Sequence, residues 1–160
     1  FIRIPDSDSL NITDGITVAV WVKPSSPQGR YSTIVAKTPV NKAYQLWYRK
    51  ATGQWVFSIT ISGMRYDIVT AEDLLDDEFH FVVGTYDGSE MKLYVDGVRE
   101  ARRPVSGAIA TTTGPLEIGR DGVPDQEHIF SGVIDEVRIY NRALSEEEIE
   151  RLYQQGLQAE

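Results

Sequence analysis

The chain has 160 residues, of which 41% are hydrophobic and 25% are charged, and its formal net charge is −8. That length suits a single domain with its own buried core. No apolar run reaches the roughly 18 residues that a membrane span needs. The acidic balance disfavours nucleic-acid phosphates as the main partner. Cysteine is absent, which excludes disulfide bonds, thiolate metal sites and a cysteine nucleophile.

The predicted elements are short strands with alternating side chains. Residues 1–4 already alternate like a strand, so we interpret 1–160 as a single domain cut from a longer protein. The next predicted strand covers 16–23 and ends at Pro24. Further strands are predicted at 43–50, 54–62, 67–70, 79–86, 91–95, 116–119 and 133–140.

The segment 79–100 carries the strongest local signal. It holds the dipeptides Asp87-Gly88 and Asp96-Gly97 on either side of a short alternating strand. Asp-Gly tolerates the positive φ angles of primed turns, so both dipeptides predict tight hairpin turns.

One helix is predicted at the end of the chain. Ser145 and Glu148 have the spacing of a capping box, and Gly156 is the expected end of the helix. Many short strands without interleaved long helices favour an all-β fold, a two-sheet antiparallel β-sandwich with a short C-terminal helix.

The chain also resembles a known family. Residues 2–24, 79–97 and 130–149 are similar, in the same order, to the LamG-like (laminin G-like, concanavalin A-like) jelly-roll domains. The resemblance implies a jelly-roll sandwich and an extracellular or cell-surface location. It leaves function open, because this fold serves carbohydrate-binding modules, adhesion domains and some enzymes.

The resemblance further implies a structural calcium ion (Ca²⁺). The matching carboxylate is Asp135, and Asp6 is a candidate second oxygen donor. The alternative is that Asp135 forms a salt bridge with Arg138 or Arg3.

Catalysis is disfavoured. A glycosidase needs two carboxylates about 5–10 Å apart across the sugar bond, and the Glu-x-Asp-x-x-Glu strand of the family's catalytic relatives does not occur here. Asp135 and Glu136 are neighbours, so a regular strand points them to opposite faces. Asp125 and Glu127 lie in a predicted loop, and His80 is interpreted as structural.

Sugar binding calls for aromatic rings beside planar hydrogen-bonding groups. Trp47 shares a strand face with Gln45 and Arg49, while Tyr44, Leu46 and Tyr48 form the more apolar face. The predicted glycan contacts are Trp47, Arg49, Arg65, Tyr66, Arg120 and His128. The alternative is that Trp47 only packs under a loop.

The sequence therefore predicts a non-catalytic, carbohydrate-binding (lectin-like) module. Its expected partner is a polysaccharide or glycan, with calcium stiffening the scaffold and no insertion into a membrane. Two alternatives stay open, a protein-binding adhesion module and, more weakly, a glycan-active enzyme domain.

Overall fold

The computed structural model describes residues 1–38, 42–71, 73–123 and 125–159. The regular elements within these ranges are β1 (Ile2–Ile4), β2 (Ile16–Pro24), β3 (Tyr31–Lys37), β4 (Tyr44–Arg49), β5 (Gln54–Ile61), β6 (Met64–Val69), β7 (His80–Tyr86), β8 (Glu90–Val95), β9 (Val98–Pro104), β10 (Leu116–Ile118), β11 (Gly132–Tyr140) and α1 (Glu146–Gln158). Short 3-10 turns cover Asp8–Leu10 and Gln126–His128. Across these ranges, no helix is both long and apolar enough to cross a membrane.

The strands form two antiparallel sheets. The six-stranded sheet has the order β1-β10-β3-β4-β5-β6, and the five-stranded sheet has the order β11-β2-β7-β8-β9. The predicted two-sheet sandwich with a C-terminal helix is therefore confirmed.

The main core lies between the two sheets. Inward side chains such as Leu46 and Phe57 of one sheet and Val20 and Val82 of the other are fully buried in one cluster. Gly84 is part of this contact, because a Cβ atom there would lie 2.3 Å from the Phe57 ring. Only glycine lets the sheets approach this closely at that position.

A second cluster lies under α1, on the outer face of the five-stranded sheet. The ring centroids of Trp21 and Tyr153 are 5.7 Å apart and the rings are stacked. The capping box of Ser145 and Glu148 is confirmed. The predicted end of the helix at Gly156 is wrong, because the helix continues to Gln158. A Cβ atom at Gly156 would lie 2.3 Å from Trp21, so this glycine provides close packing instead of a cap.

The two Asp-Gly dipeptides differ. Asp96 and Gly97 have φ angles of 50° and 81°, as a primed two-residue turn requires. The prediction of the same turn at Asp87 is wrong, since only Gly88 has a positive φ there. The loop has three residues between β7 and β8, and the Asp87 side chain stabilises it by accepting from the backbone N–H groups of Ser89 and Glu90.

Candidate functional site

The outer face of the six-stranded sheet, which points away from the other sheet, carries the candidate site. Strand β4 lies inside this sheet and alternates as predicted. Tyr44, Leu46 and Tyr48 point into the core, so Gln45, Trp47 and Arg49 point outward.

A polar network holds Trp47 in place. Its indole Nε1 donates to Ser58 Oγ at 2.9 Å, and Ser58 Oγ donates to Asp67 Oδ1 at 2.7 Å. Asp67 also accepts from Arg49 and Arg65, each at 3.2 Å. Three adjacent strands are thereby linked on one face, which makes this part of the sheet rigid.

Trp47 itself is only 3% exposed. The guanidinium carbons of Arg49 and Arg65 lie 5.0 Å and 5.6 Å from its ring centroid, within cation–π range. The Tyr31 ring centroid lies 5.9 Å away. Trp47 is therefore the floor of the site, and the aromatic ring that solvent can reach is Tyr31, which is 40% exposed.

His128 and Lys42 lie beside Tyr31 at the rim of the site, and both are held by the carboxylate of Asp121. The Tyr31 and His128 ring centroids are 5.3 Å apart. Asp121 Oδ2 is hydrogen-bonded to His128 Nδ1 at 2.8 Å and pairs with Lys42 Nζ. Burial alone would raise the pKa of Asp121, but the hydrogen bonds from Lys42 and His128 outweigh it and lower that pKa. Asp121 is therefore a buried anion that positions two rim side chains.

Two adjoining cavities open on this face, and we call them together the outer groove. One holds about 220 Å³ and is lined by Tyr31, Lys42, Gln45, Trp47, Arg65 and His128. The other holds about 280 Å³ and is lined by Lys42, Thr60, Gly63 and Arg65. Lys42 and Arg65 line both cavities, so they lie where the two meet.

Four of the predicted glycan contacts, Trp47, Arg49, Arg65 and His128, gather at or beside the outer groove. Tyr66 does not, because it lies opposite Ile59 in the register and packs against the core. Arg120 lies over the Phe1 ring, 3.5 Å from its centroid, beside a different cleft.

Several residues that line the groove were not among the predicted contacts, and Tyr31 and Lys42 are the most important of them. Tyr31 belongs to β3, a strand that was not predicted, and it lies opposite Arg49 in the register. Its alternation with Thr33 on the outer face was the available signal. Lys42 precedes β4, and nothing in the sequence around it distinguishes it from other surface lysines.

The two predicted calcium ligands lie apart. Asp6 Oδ1 accepts from Lys37 Nζ at 2.6 Å, and that hydrogen bond lowers the pKa of Asp6. The Lys37 ammonium is fully buried and also donates to the carbonyl oxygens of Thr112, at 3.0 Å, and Gly114. The oxygen atoms around Asp6 thus already surround an internal cation.

Asp135 lies on the outer face of the five-stranded sheet, opposite Trp21. Its Oδ1 accepts from the backbone N–H of Glu136 at 2.8 Å, at a bulge where Glu136 has a φ of +47°. The alternative salt bridges are wrong, because Arg138 pairs with Glu136 and Arg3 pairs with Glu117. Among the described residues, no three His, Asp or Glu side chains form a group that could hold a metal. Asp6 and Asp135 therefore do not form one calcium site, and calcium binding at Asp135 stays a prediction.

The remaining candidate acids have structural roles. Asp125 Oδ1 caps a 3-10 turn by accepting from the Glu127 N–H at 2.9 Å, and Glu127 Oε2 accepts from the Arg30 N–H at 2.8 Å. The described residues that line the outer groove include no carboxylate. A pair of carboxylates that could flank a glycosidic bond is therefore not found in that lining.

Comparison with known proteins gives the family. The family described as the concanavalin A-like lectin/glucanases superfamily matches residues 1–150. The chain belongs to this superfamily. None of the curated proteins compared with it matches.

Solved structures share the fold of this superfamily member. The binding domain of Paraclostridial Mosquitocidal Protein 1 superposes with a TM-score of 0.76 at 17% identity, covering 96% of this chain and 40% of that chain. Domain 4 of AbnA, a GH43 extracellular arabinanase from Geobacillus stearothermophilus, was solved in complex with arabinotriose. It superposes with a TM-score of 0.74 at 22% identity, and the match covers 95% of this chain and 71% of that chain. Domains LG4-5 of the mouse laminin alpha1 chain superpose with a TM-score of 0.67 at 14% identity, and the match covers 88% of this chain and 40% of that chain. The chain thus spans less than half of the mosquitocidal-protein and laminin chains.

Proposed function

We propose that the chain is a non-catalytic, glycan-binding module of an extracellular protein and that it holds a polysaccharide in the outer groove. One observation carries the proposal. The groove places the exposed Tyr31 ring beside the side chains of Gln45, Arg65 and His128, over the fixed floor of Trp47.

This arrangement suits a sugar ring for a physical reason. A pyranose has an apolar face that stacks on an aromatic ring and a rim of hydroxyl groups that need hydrogen-bonding partners. Tyr31 supplies the ring, and the guanidinium of Arg65 supplies a planar set of donors. Gln45 is 3% exposed and its amide donates to Thr33 Oγ1 at 3.0 Å, so it belongs to the floor. Because the network beneath Trp47 is already formed, binding costs little ordering of the floor.

Two further points support the non-catalytic and extracellular parts of the proposal. The described lining of the groove lacks a carboxylate pair. A protein of the same fold is a domain of an extracellular arabinanase bound to arabinotriose. Calcium is not part of the proposal. Asp6 is paired with Lys37 of the six-stranded sheet, whereas Asp135 lies on the five-stranded sheet.

The test is calorimetric titration of the protein with a panel of neutral and acidic polysaccharides. We expect Tyr31→Ala to weaken binding of the best ligand at least about tenfold, because removing a stacking aromatic anchor costs on the order of 2 kcal/mol. Phe1→Ala is the matched control, since Phe1 is an exposed aromatic residue outside the groove. Equal affinities for wild type and Tyr31→Ala would contradict the proposal.

A protein-binding adhesion module remains the second candidate, and one observation favours it. An apolar cleft of about 340 Å³ between the sheet edges includes Phe1 and Ile2, which are 72% and 58% exposed. Exposed apolar patches of this kind often mark protein contacts. If no polysaccharide binds, and Ile2→Asp but not Tyr31→Ala reduces attachment of the labelled protein to cells, adhesion is the better account.

A further inference from the structure

The charges around the outer groove point to a narrower class of ligand, and this inference rests on the proposed function. We infer that the groove binds an anionic glycan, with a sugar carboxylate or sulfate at the junction of the two cavities, in contact with Lys42 and Arg65.

The lining of the outer groove differs in charge from the chain as a whole. The chain has 24 acidic and 16 basic side chains, yet the described lining of both cavities contains Lys42, Arg65 and His128 and no acid. A net negative charge disfavours binding of a polyanion except where positive charges are in local excess. The outer groove is thus a local exception on the face that also carries the exposed aromatic ring.

The ion pairs beneath the groove leave a positive charge in excess. Asp67 accepts from both Arg49 and Arg65, so one carboxylate serves two guanidinium groups and one positive charge stays unneutralised. Asp121 pairs with Lys42 and its side chain is fully buried. Asp121 offsets the charge of Lys42, so the three cations Lys42, Arg49 and Arg65 and the two carboxylates beneath them leave one positive charge in excess.

Arg65 and Lys42 keep N–H donors available for a ligand. A guanidinium group has five N–H donors, and the bonds from Arg65 to Asp67 use its Nε and one Nη. The Arg65 side chain is 55% exposed and that of Lys42 is 23% exposed. Both can therefore donate to an anionic group that enters at the junction, and such charge-assisted hydrogen bonds are the stronger kind.

A similar imbalance occurs near the opposite edge of the same sheet. Glu117 pairs with Arg3 at 3.0 Å and with Arg120 at 3.3 Å, so again two guanidinium groups share one carboxylate. Arg3 on β1 and Arg65 on β6 lie on the two edge strands of the six-stranded sheet. This pattern suits a polymer with repeated negative charges better than a single acidic sugar.

The test compares each acidic polymer with its own neutral form. Polygalacturonate, alginate and hyaluronate are each paired with their carboxyl-reduced products, and dextran sulfate is paired with dextran. In calorimetry, at least one acidic polymer should bind at least about tenfold more tightly than its neutral partner. The preference should shrink as salt is added, because the contacts are partly exposed. The carboxylate and sulfate pairs identify which anion is recognised.

Arg65→Gln should remove that preference while keeping residual binding of the neutral form. Arg102→Gln is the matched control, because Arg102 is an exposed arginine paired with Glu90 on the other sheet. If Arg65→Gln fails to fold, Lys42→Gln replaces it, and we expect the same loss of preference for the acidic polymer. Equal binding of acidic and neutral members overturns this inference and leaves glycan binding intact. Absence of binding to every polymer overturns the inference and the proposed function together.

Discussion

The two outer faces of the sandwich each carry a tryptophan on an interior strand, and they bury it in different ways. Trp21, on the five-stranded sheet, is covered by α1 through the aromatic ring of Tyr153 and the close contact at Gly156. Trp47, on the six-stranded sheet, is covered by the charged side chains of Arg49 and Arg65.

Burial alone does not distinguish these faces, since Trp21 is 6% exposed and Trp47 is 3% exposed. The cover distinguishes them. The helix covers Trp21 with apolar contacts, whereas Arg49 and Arg65 pack their stems over Trp47 and keep their charged heads at the surface, where a ligand can reach them. The covered face should therefore serve stability and the groove should serve binding.

The largest expected effect is on the face covered by the helix. Trp21→Ala should lower the free energy of unfolding by about 3–5 kcal/mol, because it leaves a cavity between sheet and helix. Urea denaturation measures this, with Leu157→Ala on the exposed side of α1 as the control. Glycan affinity should not change. A loss of affinity in the folded Trp21→Ala protein would break the division between the two faces.

A comparable effect is expected where Lys37 joins the N-terminal segment to the six-stranded sheet. Lys37→Met should lower stability by about 3 kcal/mol, because buried carbonyl oxygens lose their donor. Melting temperatures of the wild type in calcium and in EDTA should agree within about 1 °C if Lys37 alone serves the oxygen atoms around Asp6, since a ligand without a site does not stabilise the fold. Equal stability of Lys37→Met and the wild type would contradict the role of Lys37 as the internal cation.

A smaller effect depends on pH at the start of β7. The hydrogen bond of His80 to Asp96, aided by Asp76, outweighs burial and raises the pKa of His80 from 6.5 to about 9. A raised pKa stabilises the fold fully below pH 6.5, and this contribution is lost as pH rises to about 9. Because solvent screens the partly exposed carboxylates, the free energy of unfolding should fall by only about 1–2 kcal/mol over this pH range. The pH dependence of urea denaturation should be flatter in His80→Gln, and identical profiles would refute this assignment.

Much of the sandwich could be predicted because its strands alternate regularly. Strand β4 is the best example, since its alternation correctly separated the core face from the face of Trp47. Strand β3 was missed because a register shift between Thr33 and Val35 breaks its alternation. Strand β9 was missed because most of its residues are exposed, so hydrophobic residues do not repeat along it.

The candidate site was harder to predict because its residues come from separate parts of the chain. Tyr31, Lys42 and His128 meet only through the register of β3 and β4 and through Asp121. Tyr66 was grouped with Arg65, although neighbouring strand residues point to opposite faces. Arg120 was misplaced because its stacking on Phe1 depends on contacts that no local pattern encodes.

The division between the two faces can be tested directly by the indole N–H signals of the tryptophans in ¹⁵N-labelled protein. Titration with the tightest-binding polysaccharide should shift the signal of Trp47 Nε1, which bonds to Ser58 beneath the groove. The signal of Trp21, under the helix on the other sheet, should stay in place. A shift of the Trp21 signal without one of Trp47 would place the ligand on the wrong face and contradict the account.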